Sequence, residues 1–285
     1  MKLAKSLIKK IPVKIEGTFR GASIILLSGN LGTHLDWDHF QQDLAKYTKV
    51  FSYTRPDVII FNRYNGLHHE SENPLFYPDN QWLSFNGQSK ILFELLKYYK
   101  VEHPYIIVGF SKGGLYALAF ANNYDKYIKY VILLDSQIHD LQTPEFKDEQ
   151  KITKGFHDGN DQMTKRLLKR LEKIEKQELQ PYQKTGLYKP INEKSKILNY
   201  FLKKHYYYNI KYLHQVPWKI EKPIILFQNI FTTGNLRTDL SWSAWYQHKL
   251  RKYNEIMIYT FLDDIHALYI TQKKFIINVI KLLRK

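Results

Sequence analysis

Short runs of Ile, Val and Leu recur along the chain, and each is followed by a longer stretch with helical spacing. The runs are "ASIILLSG" (Ala22–Gly29), "KVFSY" (Lys49–Tyr53), "YIIVGF" (Tyr105–Phe110), "YVILLDS" (Tyr130–Ser136), "KPIILFQ" (Lys222–Gln228) and "EIMIYTF" (Glu255–Phe261). They are apolar throughout rather than alternating, which is the pattern of strands buried on both faces. Between them, helical spacing marks Leu35–Tyr47, Trp82–Tyr99, Lys112–Asn123, Trp242–Lys252 and Lys273–Leu283. This alternation predicts an α/β fold: a mostly parallel, doubly wound sheet with helices on both faces. In such sheets ligands bind beyond the carboxyl ends of the strands.

The alternation stops between Gln137 and Val216. That stretch holds no convincing strand, but "MTKRLLKRLEKIEKQEL" places Met163, Leu167, Leu168, Leu171 and Ile174 along one helical face. Residues 1–136 and 217–285 are therefore expected to form the α/β core, with 137–216 as a helical insertion. Basic residues of the inserted helix, such as Lys165 and Arg166, read as its solvated face.

Charge narrows the function classes less than its size suggests. The 43 Lys+Arg against 27 Asp+Glu leave a net charge of +16. A basic excess can serve nucleic acid or an acidic membrane surface. Here the excess is mostly Lys, spread along the whole chain, and no nucleic-acid-binding motif accompanies it. The charge reads as compositional, and no specific nucleic-acid partner is expected. The absence of Cys excludes disulfides, thiolate metal sites and a cysteine nucleophile. Lysines interrupt the N-terminal "MKLAKSLIKKIPVKIEG", so it does not read as a signal peptide. No run approaches the ~20 apolar residues a membrane span needs. A cytoplasmic protein is the expectation.

One segment carries a chemical signature. Gly109-Phe110-Ser111-Lys112-Gly113 fits G-x-S-x-G, preceded by the strand "PYIIVGF" and followed by the helix "GLYALAFANNY". A serine presented on a sharp strand-to-helix turn needs neighbours without Cβ, so that the backbone can pass close by. Ser111 is thus a candidate nucleophile, and a helix N-cap is the competing assignment. A serine hydroxyl attacks poorly until a neighbouring base takes its proton. His266, in "FLDDIHALYI" just past the last strand, stands where a loop would emerge at the same sheet edge.

With these residues the chain resembles the α/β-hydrolase superfamily over nearly all of its length. The resemblance implies a sheet of about eight strands with a helical cap insertion. "IILLSGNLGTHLDW" is similar to the family's first loop, with Ser28-Gly29 in the place of its usual dipeptide. By that resemblance the backbone amides of Asn30 and Lys112 would form the oxyanion hole. "VFSYTRPDVIIFNRYNG" is similar to the family's D-R-x-G-x-G-x-S stretch. Thr54 stands where Asp is usual, Arg55 is kept and the glycines are missing.

The acid of a Ser-His-Asp triad has two candidates. Asp135 ends the strand after the nucleophile helix, a layout resembling pancreatic-type lipases, and it is favoured. Asp239 is the alternative; it follows the next strand, the commoner family position, although "NIFTTGNLRTD" carries it well past the strand end. The implied activity is hydrolysis of a carboxylic ester or related acyl bond through an acyl-enzyme, with no cofactor. The implied partner is a small, lipophilic acyl substrate. The rival class is a non-hydrolytic or inactive member of the fold that binds a small molecule or runs an acyltransferase or lyase reaction. The histidines and carboxylates of "THLDWDHF" are expected to border a helix capped by Thr33 or Asp36 rather than hold a metal.

Overall fold

The structure is a computed structural model, and it describes residues 8–29, 32–56, 58, 84–136, 220–229, 256–261 and 267–285. The chain separates into two compact units. One comprises Met1–Arg55, Phe85–His139 and Pro217–Lys285; the other comprises Pro56–Ser84 and Asp140–Val216. Nearly all described residues belong to the first unit. The insertion expected at 137–216 and the helix expected at 242–252 lie outside the described residues.

Seven strands form one sheet among the described residues: β1 (Val13–Glu16), β2 (Ser23–Leu27), β3 (Val50–Tyr53), β4 (Tyr105–Phe110), β5 (Ile128–Leu134), β6 (Ile224–Asn229) and β7 (Ile256–Phe261). They lie in the order β1-β3-β2-β4-β5-β6-β7. Every neighbouring pair is parallel except β1 with β3. Each of the six apolar runs contains or overlaps one of the strands β2 to β7. The seventh strand, β1, was not foreseen. It is an antiparallel edge strand, only half-buried, and its short "VKIE" lacks the continuous apolar character of a central strand.

Burial follows position in the sheet. All residues of β2, β3 and β6 are buried, whereas β7, at the edge opposite β1, alternates between half-buried and exposed. The helices are α1 (Asp38–Ala45, entered through a 3-10 turn at His34–Trp37), α2 (Phe85–Tyr98), α3 (Gly113–Tyr124), α4 (Leu268–Thr271) and α5 (Lys273–Leu283). On one face of the sheet Trp37, Phe40 and Leu44 join Ile276, Ile277 and Ile280 over Ile24, Leu26, Ile106, Val108, Ile132 and Phe227. Alternate residues of the same strands, such as Ile25 and Ile107, point to the other face, where α3 packs against β2, β4 and β5 and α2 packs on α3. Truncating one of these fully buried aliphatic side chains to Ala typically costs about 2–5 kcal/mol.

The connections create an opening at one place. From β2 the chain first moves outward to β3, then returns across β2 to β4. The loops leaving the carboxyl ends of β2 and β4 therefore depart in opposite directions. That divergence is the switch point where doubly wound sheets hold their ligands. No described helix is long and apolar enough to cross a membrane.

Candidate active site

Ser111 sits at this switch point, immediately after β4. Its φ is +51°, a left-handed conformation that a side chain with a Cβ disfavours. Surrounding contacts hold it there. The Ser111 N–H donates to the Leu134 carbonyl at 3.0 Å. Its carbonyl accepts from the Gly114 N–H at 3.0 Å and from the Ser136 hydroxyl at 2.9 Å. The end of β5 thus grips the turn from one side while the first turn of α3 closes it from the other. The helix cap falls on Lys112, with no side-chain cap bond, and α3 begins at Gly113. The Lys112 amide therefore lies at the positive end of the α3 dipole.

The glycines around the serine are spatial necessities. A Cβ on Gly109 would stand 2.5 Å from both the Gly113 carbonyl oxygen and the Gly114 Cα. One on Gly113 would press into the Leu27 and Ser28 carbonyls at the end of β2, and one on Gly114 would overlap the Ser136 hydroxyl. Side chains at these positions would push α3 away from the sheet. The motif spacing is the packing of a helix onto two strand ends.

The loop leaving β2 forms the opposite wall. A Cβ on Gly29 would sit 3.3 Å from the Ser111 Cβ and 3.2 Å from the Phe110 ring, so this backbone lies directly beside the serine. The loop is folded back on itself. The Ser28 hydroxyl donates to the Thr33 carbonyl at 2.6 Å, and the Gly32 N–H donates to the Gly29 carbonyl at 3.3 Å. Thr33 caps the 3-10 turn as expected, its hydroxyl accepting from the Leu35 N–H at 3.2 Å.

Two residues after β3 brace this loop, and sequence reasoning gave neither a role. Thr54 is buried and its hydroxyl meets His34 Nδ1 at 2.7 Å while accepting from the His34 N–H at 3.3 Å. Burial pushes the His34 imidazole below its usual pKa, against the opposing pull of the Asp38 charge. Arg55 is buried to 1% exposure. Its guanidinium donates to the Ser28 carbonyl and, at 2.9 Å, to the Gly29 carbonyl, and stands 4.5 Å from the centre of the Tyr116 ring. The only prior signal was the survival of Arg55 within the degenerate "YTRPD". The partners of both residues lie far off in sequence, beyond the reach of local pattern.

Asp135 follows the last residue of β5. Its φ is +40°, its N–H donates to the Phe227 carbonyl at 2.7 Å, and its Oδ1 accepts from the Asn229 N–H at 3.1 Å. Ser111 and Asp135 therefore stand at the carboxyl ends of neighbouring strands, linked through Leu134 and Ser136. The remaining expected site residues, Asn30, Asp239 and His266, lie outside the described residues. Among the described residues no group of three His, Asp or Glu side chains is arranged to hold a metal.

This geometry coincides with what the chain is related to. The sequence profile of the alpha/beta hydrolase fold matches residues 22–229, most of the chain, and the protein belongs to that family. No curated protein matches it. Among solved structures it is similar to a hydrolase from Oleispira antarctica, at 14% identity over 98% of this chain and 96% of the other, with a TM-score of 0.64. It is similar to an esterase from a marine microorganism, at 16% identity, 95% and 97% coverage and a TM-score of 0.57. It is also similar to AqdC, which recognises and ring-cleaves the Pseudomonas quinolone signal, at 13% identity, 96% and 95% coverage and a TM-score of 0.62. Likeness at these identities speaks for the fold; the reaction has to be argued from the site.

Proposed function

We propose that the protein is a serine hydrolase that cleaves a carboxylic ester or related acyl bond through an acyl-enzyme. The observation that carries this reading is the strained turn at Ser111, set beside the Gly29 backbone at the switch point of the sheet. A left-handed serine is stabilised here by three hydrogen bonds to its backbone and by glycines that let two loops approach. Backbone strain of this kind, worth about 1–3 kcal/mol, persists where the surrounding structure over-determines it, and it gathers at functional sites.

In this reading Ser111 Oγ attacks the acyl carbonyl carbon while His266 accepts the hydroxyl proton. The tetrahedral oxyanion is held by the Lys112 and Asn30 amides. Collapse of the intermediate expels the alcohol, which takes the proton back from His266, and water then releases the acid by the same route. Two observations on described residues support assigning the base to His266. β7 runs parallel to β4, so the chain leaves it at the sheet edge where Ser111 stands. Past residue 266, Tyr269 packs edge-on to Phe110, the residue before Ser111, with ring centres 4.9 Å apart. Asp135 is the favoured orienting acid, because it stands at the carboxyl end of the strand next to that of Ser111, with its Oδ1 accepting from the Asn229 N–H. The expected cap at 137–216 and its aromatics favour a small or medium lipophilic acyl group.

Turnover of p-nitrophenyl esters of graded chain length tests the proposal. Ester cleavage that disappears in Ser111→Ala and His266→Ala supports it, and failure to cleave any member of the series overturns it. Asp135→Asn and Asp239→Asn separate the acids: the true one is expected to lower kcat by about 10⁴-fold and the other to change it little.

A further inference from the structure

We propose that Ser136 is a positioning residue for the Lys112 amide, acting through the Ser111 carbonyl; this rests on the hydrolase reading above. Ser136 follows Asp135 just past the end of β5 and is buried to 5% exposure. Its hydroxyl donates to the Ser111 carbonyl at 2.9 Å, and the Gly114 N–H donates to the same oxygen at 3.0 Å. The bond from Gly114 is the local closure of the first turn of α3. The bond from Ser136 arrives from another strand end, 25 residues away in sequence. It passes through a gap that only glycine leaves, because a Cβ on Gly114 would overlap the hydroxyl. Gly114 lies outside G-x-S-x-G, so this extra glycine makes room for a second donor on the nucleophile's own carbonyl.

The chemical consequence comes from the peptide bond itself. The Ser111 carbonyl and the Lys112 N–H belong to one planar trans unit, with C=O and N–H on opposite sides. Two donors that fix the carbonyl therefore fix the direction of that N–H, the one expected to meet the oxyanion. The amide already lies at the positive end of α3. Hydrogen bonding to the carbonyl polarises it further and strengthens its N–H as a donor, by about 10–30% per bond. A neutral ester carbonyl draws little on a better donor, whereas a full oxyanion draws much more. The effect thus falls on the transition state more than on the bound substrate. Ser136 links the end of β5, which also carries Asp135, to the amide that holds the developing charge.

Ser136→Ala and Ser136→Thr, assayed with a p-nitrophenyl ester that the wild type cleaves, test this. In Ser136→Ala kcat is expected to fall by about 3–10-fold, a fraction of the loss of an entire oxyanion donor, with KM within about twofold of wild type. Inhibition by phenylboronic acid, whose serine adduct carries the tetrahedral oxyanion, is expected to weaken by a similar factor. Ser136→Thr keeps the hydroxyl donor and should recover part of both losses. The acid limb of the kcat/KM profile should stay at its wild-type pH, because the base and its acid are untouched. The proposal is overturned if folded Ser136→Ala keeps kcat and boronate affinity, or if Ser136→Thr is no better than Ser136→Ala. A shifted acid limb also overturns it, since Ser136 would then act through the neighbouring Asp135. So does activity that falls only in proportion to the folded fraction seen by circular dichroism. Should Ser136→Ala not fold, Ser136→Cys, which fills the site but offers only a weak donor, decides by the same criteria. A wild type without Ser111-dependent esterase activity would instead refute the underlying hydrolase reading.

Discussion

The turn between β4 and α3 and the loop leaving β2 lie against each other, yet they are secured in different ways. The turn is held mostly from within and from the adjacent end of β5: glycines where Cβ atoms would collide, and backbone bonds to Ser111. The loop after β2 is anchored from farther off, by Arg55 and Thr54 arriving from the end of β3. The first kind of constraint is written in consecutive residues and can be recognised as a motif. The second depends on tertiary approach, and it can vary without leaving a local trace.

Perturbing the two walls should therefore give different signatures. The largest effect is expected at the turn itself, where Ser111→Ala should lower ester turnover by at least about 10⁴-fold, measured as kcat, with the fold intact by circular dichroism. Gly114→Ala should come next. Its new Cβ overlaps the Ser136 hydroxyl, so thermal denaturation should show a loss of about 1–3 kcal/mol typical of overpacking. Adding Ser136→Gly should return part of that loss; a fully additive double variant would break the packing account of the motif. Ser136→Ala alone removes the 2.9 Å bond to the Ser111 carbonyl and should cost about 1 kcal/mol in chemical denaturation.

The smallest effect belongs to the ion pairs of α1, the helix that follows the β2 loop in sequence. Asp43 on α1 pairs with Lys273 of α5 at 2.6 Å and with Lys46 at 2.6 Å, and these bonds hold its carboxyl at about 2 against an ordinary 3.8. A carboxylate whose pKa is depressed on folding stabilises the folded state above its unfolded pKa and loses that effect as pH falls through the folded value. Asp43→Asn should therefore destabilise by at most about 1 kcal/mol at pH 7, since the pair is partly exposed to solvent. The gap between variant and wild type should close between about pH 4 and pH 2 in urea-denaturation midpoints.

How much could be read from the sequence follows the same division. β7 was legible although it is a half-buried edge strand, because its run is nearly all apolar. β2 to β6 were legible because a parallel central strand is buried on both faces, and "YIIVGF" or "KPIILFQ" shows it without interruption. β1 was not, because an edge strand needs apolar residues on only part of its surface, and Lys14 and Glu16 instead pair with each other, Lys14 reaching Asp38 as well. Helix α5 was legible to the residue from its Ile spacing, whereas α4 is a single turn with too few positions to show a period. At the site, Ser111 and its glycines stood out because strand, turn and helix are contiguous. Arg55 did not, because its partners Ser28, Gly29 and Tyr116 come together only in the fold.

The measurement that bears most directly on the central claim is the intact mass of the protein after treatment with a fluorophosphonate, followed by peptide mapping. The account predicts a single phosphonyl adduct, located on Ser111 and abolished in Ser111→Ala. An unlabelled wild type, or an adduct that persists unchanged in Ser111→Ala, would contradict it.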